Sequence, residues 1–169
     1  AVLLASCVYD LGTIDTCDKD PEPCTQATTW PLLTNCTDTS PLQVMLGTGE
    51  VDFRPFAPGE KPTLELGTGL QGPDIRHVWV GVRIDNPDPA GRRFRVRFRA
   101  TVSDPTGGPG ATRVAVLKMV LEQSLVAAPS GALSRAGLLF FLPESPSQLA
   151  VEVEDQCGRT AVSTHVALP

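Results

Sequence analysis

The chain has 169 residues, 16 of them Pro and 15 Gly, with 5% aromatics, two His and a formal net charge of −5. That length suits one domain able to bury its own core, and the acidic balance gives no reason to expect nucleic-acid binding. No stretch approaches the roughly 18–20 apolar residues needed to cross a bilayer as a helix.

Residues 8–40 are polar, rich in Thr, Asp, Pro and Cys, and show no sustained apolar period. With Cys7 they read as a lipid anchor and Cys-rich tether, residues 7–40. Just before them, Leu4-Ala5-Ser6-Cys7 resembles the lipobox of bacterial lipoproteins, an apolar residue and two small ones before a Cys. The resemblance implies that residues 1–6 are the remnant of a signal peptide. It also implies cleavage before Cys7 and acylation of its sulfur and new amino group. Two or three acyl chains hold a protein stably, where one binds only marginally. The expected location is the bacterial cell envelope, outer membrane rather than inner, with Cys7 as the membrane contact. The competing reading makes residues 2–5 a strand and Cys7 a disulfide partner.

Five cysteines are an odd number, which leaves one with a separate task in an exported protein. With Cys7 set aside, Cys17, Cys24, Cys36 and Cys157 suit two disulfides in an oxidising compartment. The favoured pairing is Cys17–Cys24 as a local loop and Cys36–Cys157 as a long-range staple. The rival is a zinc site, whose usual close CxxC pairs this spacing lacks. Asp15, Asp18 and Asp20 could offer hard oxygen ligands to Ca²⁺. The glycine of a calcium-binding loop is missing there and Pro21 interrupts the run, so a solvated acidic tether is favoured.

From residue 42 the texture changes to short apolar runs between Gly, Pro and Asp turn signals. Residues 42–46 and 63–66 read as edge strands. Residues 76–84 set Val78, Val80, Val82 and Ile84 on one face and His77, Trp79, Gly81 and Arg83 on the other. Residues 93–102 alternate Phe94, Val96, Phe98 and Ala100 with Arg93, Arg95, Arg97 and Arg99. Residues 111–128 are ambiguous. Val114, Leu117, Leu121 and Leu125 suit a helical face, whereas Ala115, Leu117, Met119 and Leu121 suit a strand, which the β surroundings favour. Residues 138–142 form an apolar strand, and 149–154 and 160–168 a closing hairpin around 155–159.

Residues 41–169 therefore predict an all-β fold, a single antiparallel sandwich of about seven or eight strands. The ending Leu149-Ala-Val-Glu-Val-Glu-Asp155-Gln-Cys-Gly158-Arg-Thr-Ala-Val162 resembles the last hairpin of bacterial immunoglobulin-like and PKD-like domains. The stretch Gln71-Gly-Pro-Asp-Ile-Arg-His77-Val-Trp79, after Leu46-Gly-Thr-Gly-Glu50 and Phe53, resembles uncharacterised bacterial lipoproteins. These resemblances imply an Ig-like β-sandwich and an envelope location, and no activity.

The chemistry-bearing residues are few. Gly67-Thr-Gly69-Leu-Gln-Gly72 matches GxGxxG, but no βαβ unit surrounds it, so a flexible loop is expected. Asp85, Asn86 and Asp88 could form a weak calcium site or simply a turn. Arg93, Arg95, Arg97 and Arg99 make a stripe about 6–7 Å apart by strand geometry, suited to an anionic glycan, lipid headgroup or protein. Its structural alternative is pairing with Glu152 and Glu154 on another strand. His77, Trp79 and Arg83 form a second candidate surface, unless a loop covers Trp79. No nucleophile elbow, HExxH or His–Cys pairing is present. The expectation is a non-enzymatic anchored binding or adaptor domain for an envelope protein or glycan, with no cofactor. A purely structural spacer is the alternative and an enzyme a remote third.

Overall fold

The structure, a computed structural model, describes residues 32–67, 75–121 and 125–168. Cys7, Cys17, Cys24, Asp15, Asp18 and Asp20 lie outside the described residues. Those described form strands and turns, with no helix. In chain order the strands are β1 (Val44–Thr48), β2 (Arg54–Pro55), β3 (Glu65–Leu66), β4 (Arg76–Ile84), β5 (Phe94–Ser103), β6 (Thr112–Leu121), β7 (Val126–Ala127), β8 (Leu133–Phe141), β9 (Gln148–Asp155) and β10 (Thr160–Val166).

They make two antiparallel sheets. One runs β2-β1-β4-β8-β7, with β3 also on β4, and the other runs β10-β9-β5-β6. The apolar face of each long strand lies in one shared cluster. Val78, Val80, Val82, Ile84 and Phe140 come from the first sheet, and Phe94, Val96, Phe98, Leu149, Val151 and Val153 from the second. Each such side chain stabilises the fold by about 1.5–3 kcal/mol when fully buried. The period of two is what makes this possible, because it puts every large apolar residue of β5 and β9 on the same side.

The segment open to two readings is strand β6. It pairs with β5 along its whole length, from Ser103↔Thr112 to Phe94↔Leu121. Tertiary pairing overrides its helix-forming composition. The apolar 138–142 run is the second half of a longer strand. β8 begins at Leu133 and carries a bulge, because its register on β4 shifts between Val80 and Val82. Gly137 sits at the bulge with φ +67, and its N–H donates to Gly49 O at 2.8 Å. The extra residue therefore keeps a hydrogen-bond partner.

On the outside of the first sheet, Gly47 and Gly81 are directly paired. The Phe53 ring lies over both. A Cβ at Gly47 would sit 2.5 Å from that ring and one at Gly81 3.1 Å from it. The ring covers backbone that two glycines leave bare.

Candidate functional site

Three places carry the sequence candidates: the outer face of each sheet, and a joint where the chain entering β1 meets the β9–β10 turn.

On the second sheet, Arg95, Arg97 and Arg99 point outward from β5 and are half-buried, while Arg93 immediately precedes the strand. The register brings Arg95 opposite Glu154 and Arg97 opposite Glu152 on β9. The Arg95 Nη1–Glu154 Oε2 distance is 3.4 Å and the Arg97 Nη1–Glu152 Oε2 distance 3.7 Å. Cross-strand pairs this exposed contribute a few tenths to about 1 kcal/mol each. Arg99 differs. Its neighbours across the two ladders are Ala150 and Val116, and among the described residues its Nε has no hydrogen-bond partner. On the β6 side, Arg97 faces another cation, Lys118. The sheet thus sets a carboxylate across from Arg95 and from Arg97 and none across from Arg99.

Valines flank this charged strip on both edge strands. Val114 and Val120 of β6 and Val162 and Val166 of β10 are exposed, Val120 by 51% and Val162 by 64%. On β10 the inward residues are Ala161, Ser163 and His165. Ser163 Oγ accepts from Leu46 N at 3.1 Å. His165 stacks on Phe56 with centroids 4.5 Å apart, and its Nε2 lies 2.6 Å from Glu60 O. Close approach of β1 and the 56–60 segment needs small or polar inward groups, which leaves the valines outside.

On the first sheet, His77 is 4% exposed. Its ring stands edge-on to Trp79 at 5.0 Å and to Phe141 at 6.3 Å. The nearest carboxylate oxygen, Glu65 Oε2, is 3.9 Å from Nε2. That same oxygen accepts the Trp79 indole N–H at 3.0 Å. Trp79 is half-buried, held by Glu65 of β3. Arg83, farther along β4, pairs with Asp85 at 2.6 Å. The three residues share a face, but each has its own structural neighbour, with the Gly81–Phe53 contact between Trp79 and Arg83.

The GxGxxG match lies between β3 and β4, which are antiparallel strands. A strand occupies the place where a dinucleotide site has a helix. Residues 68–74 themselves lie outside the described residues.

Of the joint, sequence reasoning anticipated the disulfide and the 85–88 turn but not the part played by Asp38, Asp155 and Arg159. Cys36 and Cys157 form a disulfide, the long-range pairing favoured from the cysteine spacing. Beside it, the Asp88 carboxylate is 1% exposed. It accepts from the N–H groups of Thr37, Asp38 and Ala90, each at 2.8 Å. Those bonds, the one from Asp38 first, hold its pKa below the ordinary Asp value of 3.8. Asn86 Oδ1 accepts from Gln43 N at 2.7 Å, and its Nδ2 donates to Ser40 Oγ and Pro41 O. The Asp85-Asn86-Asp88 turn therefore receives the incoming chain. Among the described residues, the single cluster with metal-ligand spacing is Cys36, Asp88 and Cys157, and the disulfide takes both sulfurs.

Arg159 locks this joint. Its Nε donates to Asp155 Oδ2 at 2.7 Å, its Nη1 to Asp38 Oδ2 at 2.9 Å, and its Nη2 to Asn86 O at 3.1 Å. Asp155, also buried, caps its own turn by accepting from the N–H groups of Cys157 and Arg159, each at 2.9 Å.

A second clamp near β2 pairs Arg54 with Glu60 through two hydrogen bonds of 2.8 and 2.6 Å. Together with an Ala57 N–H, Arg54 pulls the Glu60 pKa from 4.5 to about 2. The folded value lies below the unfolded one. Its stabilisation is thus complete above pH about 4.5 and is lost as pH falls toward about 2. Asp88 adds an acid limb of the same sign. Melting temperature is expected to be flat from about pH 6 to 8 and to fall below about pH 4. Glu60→Gln should flatten part of that acid limb in a pH series of thermal melts; an unchanged limb would remove Glu60 from the account.

Comparison with known proteins gives no match: no family model fits the chain, and no curated protein or solved structure is significantly similar to it.

Proposed function

We propose that this chain is a non-enzymatic, lipid-anchored envelope protein whose β domain binds a protein or glycan partner through the outer face of the β10-β9-β5-β6 sheet. The observation that carries the proposal is the composition of that face. Exposed valines on both edge strands border a strip of arginines in which Arg99 has no carboxylate across from it. Apolar surface beside unsatisfied Arg is the composition of recognition surfaces. The lipobox-like Leu4-Ala5-Ser6-Cys7 supports the anchor and the envelope location. Strand orders β1-β4-β8-β7 and β10-β9-β5-β6 support the immunoglobulin-like sandwich, since they follow the ABED and GFC connectivity of that class with one added strand.

Photo-crosslinkers placed at Val120 and Val162 in intact cells test this reading. They are expected to capture one specific partner, and Arg99→Glu to reduce capture while lowering the melting temperature by no more than about 4 °C, as for a half-buried surface substitution. Capture unchanged by Arg99→Glu would remove the face from recognition. A purely structural spacer is the second reading, favoured by the Arg95–Glu154 and Arg97–Glu152 pairs. It expects no specific crosslink at either position. Mass spectrometry of the mature N-terminus tests the anchor independently, and an unacylated Cys7 would overturn it.

A further inference from the structure

We propose that the partner is a protein that seats one carboxylate on Arg99 inside an otherwise apolar contact, centred on the half of the β10-β9-β5-β6 face nearest the β5–β6 turn. The inference rests on the binding reading above and names the kind of partner.

The register divides that face into rows that run across all four strands. Thr160, Glu154, Arg95 and Val120 make one row, and Val162, Glu152, Arg97 and Lys118 the next. Both carboxylates of the four rows are here, opposite Arg95 and Arg97. Thr164, Ala150, Arg99 and Val116 make the third row, and Val166, Gln148, Thr101 and Val114 the fourth. Arg99 is the single charged residue of these two. Among the described residues its Nε has no hydrogen-bond partner and no carboxylate forms an ion pair with it. Rows lie about 6–7 Å apart along a strand. Arg99 is therefore ringed on three sides by uncharged side chains, of which Val114 is 39% and Val166 58% exposed. On the fourth side stands Arg97, whose Nη1 has Glu152 Oε2 at 3.7 Å.

That surround decides what can cover Arg99. A surface laid on Val114, Val116 and Ala150 strips water from the guanidinium as well. Burying a cation with no counter-charge costs more than the apolar contact around it returns. The partner must therefore bring a negative charge to that point, set in apolar surface that matches the valines. One unpaired cation matches the single charge of a carboxylate. A phosphomonoester carries nearly two, and Arg97 is engaged by Glu152. A glycan fits less well than a protein, because the four rows hold no aromatic ring to stack on the C–H face of a sugar. A second copy of this face brings no spare carboxylate, since Glu152 and Glu154 already face Arg97 and Arg95.

The test titrates the folded protein with isovalerate, a carboxylate on a branched apolar tail. Isovaleramide and glucuronate serve as its uncharged and its sugar counterparts, and NMR follows the arginine Nε–H signals and the backbone amides. Isovalerate is expected to shift Arg99 and the amides of Thr101, Val116 and Ala150, and to bind about tenfold more tightly than either counterpart. Ala150→Glu places a carboxylate directly across the ladder from Arg99 and should abolish the response. Arg99→Gln should do the same with no added charge. Arg95→Gln acts two rows away, beyond the screening length of about 8 Å in physiological salt, and should leave the response within about twofold. Equal responses at Arg95 and Arg99, or glucuronate binding as tightly as isovalerate, would overturn the proposal. In intact cells the species captured from Val120 and Val162 should be a protein, and Ala150→Glu should lower its capture about tenfold. A charge swap should restore it, with Arg99→Glu set against Lys in place of the carboxylate mapped on that protein. Capture of a glycan that still depends on Arg99 would leave the binding reading standing and remove this one.

Discussion

Arg159→Met is expected to destabilise the domain by about 3–5 kcal/mol, the cost of breaking a buried ion pair from one side. Arg159 has 10% of its side chain exposed and Asp155 only 1%. Burial works against the Arg159 charge, but its bonds to Asp155 and Asp38 outweigh this and its pKa is raised. Without the guanidinium, the Asp155 carboxylate keeps its two backbone donors and loses its ion pair with Arg159. The Asn86 carbonyl and the Asp38 carboxylate lose donors at the same time. Domains of this size typically hold about 5–15 kcal/mol in total, so the variant should melt about 10 °C lower or more. Arg159→Lys should recover little, because a single ammonium cannot span three acceptors on three segments. Arg97→Ala is the contrast, expected to cost at most about 1 kcal/mol. Urea titrations of the three variants check the order. If Arg159→Met and Arg97→Ala cost the same, the joint is not the anchor described.

The strand framework was legible because β4, β5 and β9 are long and half-apolar, so that a period of two identifies each one and its inner face. β6 was only half legible: its composition fits two periods, and pairing with β5 decides between them. In β10 the alternation located the strand but not its orientation. Hydropathy alone would turn Val162 and Val166 inward, whereas contacts of Ser163 and His165 with the β1 side turn them out. The arginine stripe was legible as residues, and its alternative pairing with Glu152 and Glu154 could be anticipated from charge alternation alone. What no local pattern could show is that Arg99 is the member without a carboxylate opposite. That follows from register, in which Ala150 precedes Glu152 and Glu154 on the outward side of β9. The Arg159 joint was hidden for a related reason. Its acceptors lie at Asp38, Asn86 and Asp155, as far as 121 residues away. The available hints were an Asp four residues before an Arg across a tight turn, and the cluster of turn-forming side chains at Asp85, Asn86 and Asp88.

Replacing both Cys36 and Cys157 with Ser is expected to cost about 2–5 kcal/mol, with the loss concentrated at the same joint. The disulfide spans a sequence separation of 121, and closing a loop of that order removes chain entropy worth somewhat over 4 kcal/mol in the unfolded state on the loop-entropy model. The paired substitution is the cleaner probe than a reductant, which would act on every cysteine of the chain. In the folded state the disulfide holds the strand-entry segment beside the β9–β10 turn, where Leu33 N also donates to Gln156 O at 2.8 Å. Asp88 grips Thr37 and Asp38 from one side, and Arg159 grips Asp38 from the other. Four attachments on one short segment act as a unit, so losing one weakens the rest. A double-mutant cycle tests this directly. The Cys-to-Ser pair combined with Arg159→Met should cost less than the sum of the two by about 0.5–3 kcal/mol. Strict additivity in urea titration would mean that the disulfide and the arginine hold the segment independently.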